Sequence, residues 1–226
     1  MMDSETTVHV IGVEPEGPDP DRPPLSGLLG HCGLLMGGRR HIEGLSAYLP
    51  PGARLLAVTN NISEAMTALK DFVAGAKGMV AIVLATGDPL YHGIGGPISR
   101  AIPRHLLSFT PATTLVQRAF SLLGEPWEEA KVASIHGKKE DPVLSPGRWI
   151  FYTGGGRGPA QILEISLRQG LEVREMTVLE EIGLPGQKVT TFCPVDAGEI
   201  NSREFRTLNM VVMTLEEKTD RKNADI

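Results

Sequence analysis

The sequence predicts an α/β protein. Three observations carry that expectation. Short β-branched runs alternate with stretches of helical spacing along most of the chain. One run, Met79 to Ala85 (MVAIVLA), is apolar without a break, as in a central parallel strand covered on both faces. The 226 residues are 41% hydrophobic, enough to bury a core in one large domain or two small ones. Aromatics make up only 5% of the chain, so Leu, Val, Ile and Ala must do most of the packing.

In chain order, Val8 to Ile11 reads as a first strand ending at Gly12, followed by a loop rich in Pro and Asp from Glu14 to Pro24. Leu34 to Met36 is a short buried strand. Arg39 to Tyr48 has helical spacing, with Ile42, Leu45 and Leu49 on one face, and Pro50-Pro51-Gly52 stops it. Arg54 to Val58 is a third strand, and Ser63 caps a helix through Ala74. After the apolar run a helix starts near Pro97, and Leu106 to Phe109 is a fifth strand closed by Pro111. A helix from about Thr114 to Leu123 stops at Gly124 and Pro126. Strands follow at Lys131 to Ser134 and Trp149 to Tyr152. The helix Pro159 to Gln169 has Pro in its first turn and Gly170 just past its end. Val173 to Leu179, Val189 to Phe192 and Met210 to Leu215 read as further strands. The boundary falls near Thr110 to Leu115, giving domains 1–112 and 113–226.

A net charge of −5 argues against a general nucleic-acid binder, which needs a basic footprint. Cys32 and Cys193 lie far apart, outside any CxxC or Cys/His cluster, so no metal site is read; two buried, reduced thiols are expected. Met1 to Thr7 lacks the apolar run of a signal peptide, and no stretch approaches the roughly 20 apolar residues of a membrane span, so a cytoplasmic location is expected. Glu216 to Ile226 reads as a frayed tail.

Gly12-Val13-Glu14-Pro15-Glu16-Gly17 stands where a dinucleotide loop would sit, but Glu14 and Glu16 would repel phosphate. It is either a surface loop or a contact for a cationic ligand without phosphate. Thr86 to Gly96 crowds four glycines, Pro89 and Asp88 straight after the most buried strand, where open α/β sheets bind ligands; the alternative is a plain connection. Gly154-Gly155-Gly156-Arg157-Gly158 is either an anion loop or a flexible connection. Basic residues gather at Arg39-Arg40-His41, at Arg100, Arg104 and His105, and at His136-Gly137-Lys138-Lys139, in keeping with an anionic substrate or with solvated faces. No Ser-His-Asp or Cys-His set, carboxylate pair or metal-ligand spacing is readable, which favours chemistry by positioning.

From about Thr7 to Leu215 these residues resemble the tetrapyrrole (corrin/porphyrin) methylases, and within them the cobalt-precorrin-7 C-5 methyltransferases, the methylase half of precorrin-6Y methyltransferase. The matching segments are Gly37-Gly38-Arg39-Arg40-His41, Gly87-Asp88-Pro89-Leu90-Tyr91-His92-Gly93-Ile94-Gly95, Gln117-x-Ala119, Leu123-Gly124-x-Pro126-Trp127, Ser134-Ile135-His136-Gly137-Lys138 and Leu208-Asn209. The chain departs from the family in its first loop, usually Gly-x-Gly-Pro-Gly, and at Pro111-Ala112-Thr113-Thr114-Leu115, usually Pro-Gly-x-Ser-Ser. It departs again at Leu122, where an Arg is expected, and at Glu180-Glu181-Ile182-Gly183, usually Glu-Arg-Leu-Gly.

The resemblance implies two α/β domains, the first sheet mainly parallel and the second mixed, commonly in a homodimer. It implies S-adenosylmethionine as methyl donor and a precorrin or cobalt-precorrin substrate methylated at C-5 by in-line displacement, with a separate C-15 methylase and decarboxylase as a candidate partner. By position, Pro15, Gly87, Asp88, Tyr91, Thr114, Leu115 and Thr153 would contact the cofactor. Arg40, His41 and His92 would contact substrate carboxylates, and His92 is the residue to watch as a base. Another methylase of the superfamily, or a non-catalytic tetrapyrrole-binding subunit, is the alternative reading.

Overall fold

A computed structural model describes residues 7–218 except 60, 77 and 137–139. The reading of the N-terminus up to residue 6, of Gly137-Lys138-Lys139 and of the tail from residue 219 onward falls outside the described residues. The chain divides into two compact units, residues 1–115 and 116–226.

The first unit holds five strands: β1 (Val8–Val13), β2 (Cys32–Gly37), β3 (Arg54–Ala57), β4 (Val80–Thr86) and β5 (Leu107–Thr110). Their order is β3-β2-β4-β1-β5, with every pair parallel. The apolar run became β4, the middle strand, with Val80 to Leu84 buried. The helices are α1 (Leu25–Leu28), α2 (Arg39–Leu45), α3 (Ile62–Gly75) and α4 (Gly95–Ala101).

Alternate residues of the strands face two apolar layers. Ile11, Val13, Leu35, Ile82 and Leu84 pack with Leu25 and Leu28 of α1 and Ile42 and Leu45 of α2. Val8, Val10, Leu34, Met36, Ala81 and Val83 pack with Ala65 and Leu69 of α3 and Ile98 of α4. Each fully buried Leu, Ile or Val contributes on the order of 1.5–3 kcal/mol. The connections leaving β1 and β2 therefore cover one face and those leaving β3 and β4 the other. Neighbours β1 and β4 send their chains to opposite faces, the arrangement that opens a ligand crevice at their carboxyl ends.

The second unit opens with α5 (Leu115–Leu123), whose first residue closes the first unit, and carries β6 (Lys131–Ser134), β7 (Gly147–Tyr152), α6 (Pro159–Arg168), β8 (Leu171–Glu180), β9 (Lys188–Phe192), α7 (Ala197–Ser202) and β10 (Asn209–Glu217). The strand order is β6-β7-β10-β8-β9; β6 and β7 are parallel and the other pairs antiparallel, so this sheet is mixed. Phe151, Val178, Val211 and Met213 pack with Ile162, Leu163 and Ile165 of α6 and Ile200 of α7. α6 begins at Pro159, and Gly170, at φ +77°, follows its end, as its flanking residues require.

Three expectations need correction, and two short helices add to the reading. Asn61, not Ser63, stands at the start of α3; its side-chain oxygen accepts from the Thr59 amide and its amide donates to Glu64 (3.1 Å), so Ser63 lies inside the helix. The helix from Arg39 ends at Leu45 and tightens into a 3-10 turn over Ser46–Tyr48 before the prolines. The short α1 and α7 were not foreseen, although Asp196 caps α7 by accepting from the Glu199 amide at 2.9 Å. Cys32 is buried, and burial raises its thiol to about 11, but Cys193 is exposed.

Candidate functional site

Three loops meet at the carboxyl edge of the first sheet. Gly12 lies where they converge: a Cβ there would come within 2.1 Å of the Gly87 carbonyl oxygen, 2.4 Å of the Ala112 nitrogen and 2.9 Å of the Pro111 carbonyl carbon. The Gly87 amide donates to the Val13 carbonyl (2.9 Å), and the Ala112 amide donates to the Gly87 carbonyl (3.3 Å). The ends of β4, β1 and β5 are thus joined by backbone, as their adjacency in the sheet allows.

After β1 the chain makes a tight turn, Glu14-Pro15-Glu16-Gly17, closed by the Gly17 amide on the Glu14 carbonyl (3.0 Å). Pro15 is buried and Glu16 exposed. Glu14 Oε1 accepts from the Thr113 amide (3.3 Å) and the Thr113 hydroxyl (3.1 Å). No signal within either segment pairs these two residues. The only hint is that both lie in stretches that depart from the family pattern.

After β4, Gly87 turns at φ +75°, a conformation open to glycine. Asp88 Oδ1 accepts from the Leu90 amide (2.8 Å), and the Asp88 carbonyl from the Tyr91 amide (3.0 Å). Asp88 therefore shapes its own loop and does not cap α4, which starts after Ile94. Tyr91 is 36% exposed, and burial raises its phenol pKa. Its ring meets the exposed His92 edge to face at 4.9 Å; His92 sits at φ +56°. Two of the glycines serve the loop itself. A Cβ on Gly93 or Gly95 would lie 2.7 or 2.5 Å from the Pro89 carbonyl oxygen, which accepts the Gly95 amide (2.8 Å). Thr114 and Leu115 follow β5, both half-buried, with Thr114 against Gly87: a Cβ there would lie 3.3 Å from the Thr114 Cα.

The residues expected to meet substrate acids divide. Arg40 is exposed on the first turn of α2. His41 is 5% exposed, and both ring nitrogens are buried with no protein partner among the described residues. Pro18 of the first loop packs near Gly44, one turn along α2. Burial, and secondarily the Arg40 charge, lowers the His41 pKa, so the ring is a neutral group. His41 is thus a buried, neutral ring, in contrast to its exposed neighbour Arg40.

The sign of the resulting pH effect follows. An unfolded histidine protonates near pH 6.5, and the buried one only lower, so below about 6.5 the unfolded state binds more protons and stability falls as pH falls. His9, half-buried, is lowered by burial in the same direction. We expect the melting temperature to decline on acidification below about pH 6.5. We expect His41→Leu to flatten that decline and to add about 1 kcal/mol at neutral pH by removing two unpaired buried nitrogens. A melting curve equally pH-dependent in the variant would contradict this.

In the second unit, the Thr153 hydroxyl lies against Asn209, donating to its backbone oxygen or to Oδ1 (2.7 Å). Asn209 thus positions the one cofactor candidate that lies in this unit. The glycine loop is a tight turn closed by reciprocal bonds between Gly154 and Arg157 (2.9 and 3.2 Å), and Asp141 pairs with both Arg157 and Arg168. The His136 ring packs on Gly154, leaving no room for a Cβ.

A doubly wound parallel sheet with a switch point between β1 and β4, accompanied by a mixed-sheet unit, places the chain in the class of α/β folds that take ligands at their strand ends. The family model for tetrapyrrole (corrin/porphyrin) methylases matches residues 8–196, and the chain belongs to that family. It is 33% identical over 168 residues to a precorrin-6Y C(5,15)-methyltransferase [decarboxylating] of Sinorhizobium sp, covering 73% of this chain and 39% of that one. The chain thus matches well under half the length of that relative. It is 24% identical over 190 residues to a cobalt-precorrin-7 C(5)-methyltransferase of Salmonella typhimurium, covering 83% of this chain and 90% of that one. The structure of a uroporphyrin-III C-methyltransferase from Thermus thermophilus complexed with S-adenosylhomocysteine has the same fold, with a TM-score of 0.69, 21% identity, and coverage of 92% of this chain and 97% of that one. Among the described residues no helix is long and apolar enough to cross a membrane.

Proposed function

We propose that the chain is an S-adenosylmethionine-dependent C-methyltransferase of corrin-ring biosynthesis, methylating C-5 of cobalt-precorrin-7 or the metal-free equivalent. The observation that carries this is the meeting of the three loops at Gly12, at the switch point of a chain of this family, with the acid Glu14 on the first loop. The residues there suit the donor. Carboxylates at Glu14 and Glu16 oppose phosphate but not a sulfonium, and S-adenosylmethionine carries no phosphate.

Pro15, Gly87, Asp88, Tyr91, Thr114 and Leu115 would hold the donor at this edge; Thr153 is proposed as a cofactor contact on the resemblance alone. When bound, the donor supplies a methyl group already activated on a sulfonium. The protein's task is then to hold the two reactants at near-attack distance and to exclude water. Arg40 and His92, both exposed, would meet the acid side chains of the macrocycle. The neutral, buried His41 would instead support the turn that carries Arg40. We further propose that the protein acts in the cytoplasm as a homodimer, beside a separate C-15 methylase and decarboxylase.

Isothermal titration tests the reading. S-adenosylhomocysteine is expected to bind at micromolar concentration without added metal, whereas NAD and NADP are expected not to bind. Failure of a folded sample to bind S-adenosylhomocysteine would refute the enzyme assignment. Binding without C-5 methyl transfer would favour a tetrapyrrole-binding subunit.

A further inference from the structure

Backbone joins two of the three sides of the loop cluster. The Gly87 amide on Val13 links the first and second loops, and the Ala112 amide on Gly87 links the second and third. The remaining side, between the first loop and the third, is spanned by a side chain. Glu14 reaches across 99 residues of sequence, and one carboxylate oxygen takes both the amide and the hydroxyl of Thr113.

Thr113 precedes Thr114 and Leu115, and its carbonyl oxygen would lie 3.4 Å from a Cβ on Gly87. Fixing Thr113 therefore fixes the approach of the third loop to the second. A carboxylate suits this role because hydrogen bonds to a charged acceptor are stronger than neutral ones. The same carboxylate adds negative potential at an edge where a sulfonium is to bind.

We propose that Glu14 is a positioning residue for the methyl donor: it acts through Thr113, holding the third loop in the geometry that receives the cofactor. The proposal rests on the assignment of this edge to S-adenosylmethionine. Glu14→Ala releases the third loop, so the donor is bound by a loop that must first be ordered. The loss then appears in the donor's KM and in S-adenosylhomocysteine affinity, with kcat changed much less.

The test is titration of full-length wild type, Glu14→Ala, Glu14→Gln and Thr113→Val with S-adenosylhomocysteine, with thermal melting on the same samples and hydrogen exchange read at the Thr113 amide. Glu14→Ala removes both hydrogen bonds to Thr113 and is expected to weaken binding about tenfold and to speed exchange at the Thr113 amide. Glu14→Gln keeps an acceptor and is expected to stay within about threefold of wild type. Thr113→Val keeps the amide bond and should fall between the two. In the Glu14→Ala background, Thr113→Val should add nothing. Wild-type affinity in a folded Glu14→Ala variant would overturn the proposal, as would a Gln variant as weak as the Ala variant. Absence of binding to wild type itself would overturn the cofactor assignment, a result separate from either.

Discussion

Replacing Gly12 with alanine is expected to abolish cofactor binding and to lower stability by about 3 kcal/mol, the upper part of the range for an overpacked interior. The reason is space, not backbone conformation. The new methyl group would sit 2.1 Å from the Gly87 oxygen and 2.4 Å from the Ala112 nitrogen. Both are backbone atoms, so no rotamer change relieves the contact. The strand ends must separate, breaking the Ala112 amide bond to Gly87 and with it the geometry of all three loops. For a unit of this size a loss of about 3 kcal/mol lowers the melting temperature by roughly 10 °C or more. S-adenosylhomocysteine affinity is expected to fall at least about 100-fold, since every proposed contact in this unit hangs from these loops. Gly27→Ala is the control. It lies in α1 with nothing within 4 Å of a Cβ, so that variant should match wild type or gain a few tenths of a kcal/mol. A Gly12→Ala variant that melts and binds as wild type does would show that the strand ends do not converge as described.

Asp88→Ala should weaken cofactor binding about tenfold while costing about 1 kcal/mol in stability. Its carboxylate takes the Leu90 amide at 2.8 Å, and this bond holds the turn from Asp88 to Tyr91. Without it the turn loosens over Pro89, and the Tyr91 side chain loses its fixed place beside His92. Asp88→Asn retains an oxygen that can accept the same amide and should stay within about threefold of wild type in affinity. If charge itself contacts the donor, Asn will instead bind as weakly as Ala while melting like wild type. A destabilised Asp88→Ala variant with unchanged affinity would remove Asp88 from the site and leave it only a loop-shaping role. Measuring both quantities on both variants separates the three outcomes.

The sequence by itself determined the class of fold, because hydrophobic period and run length are local properties. MVAIVLA is short, unbroken and rich in Val and Ile, which suits a doubly covered strand better than a helix, and β4 is the middle strand of its sheet. Pro159 and Gly170 bracket α6 because one residue lacks an amide hydrogen and the other tolerates φ +77°. Glycines mark the loop after β4 in the sequence, and two of them answer to the loop's own packing. Gly93 and Gly95 make room for the carbonyl of Pro89, a contact inside the loop. The short α1 and α7 are not legible in the sequence because four to six residues hold too little of a 3.6-residue period.

Only the tertiary structure decided the rest, since those features depend on which segments become neighbours. His41 reads as one of three basic residues in a row, yet the side of α2 that packs inward takes it out of water and leaves it neutral, while Arg40 beside it stays exposed. Gly12 reads as the end of a strand, but the parallel pairing of β1 with both β4 and β5 makes it the point where three backbones touch. Glu14 reads as a reason why phosphate would be refused. That it also grips Thr113 follows from the β4-β1-β5 order, which sets the ends of β1 and β5 side by side although nearly a hundred residues separate them. Side-chain chemistry is written in the sequence at each position, whereas the partner that gives it a role is supplied by strand order.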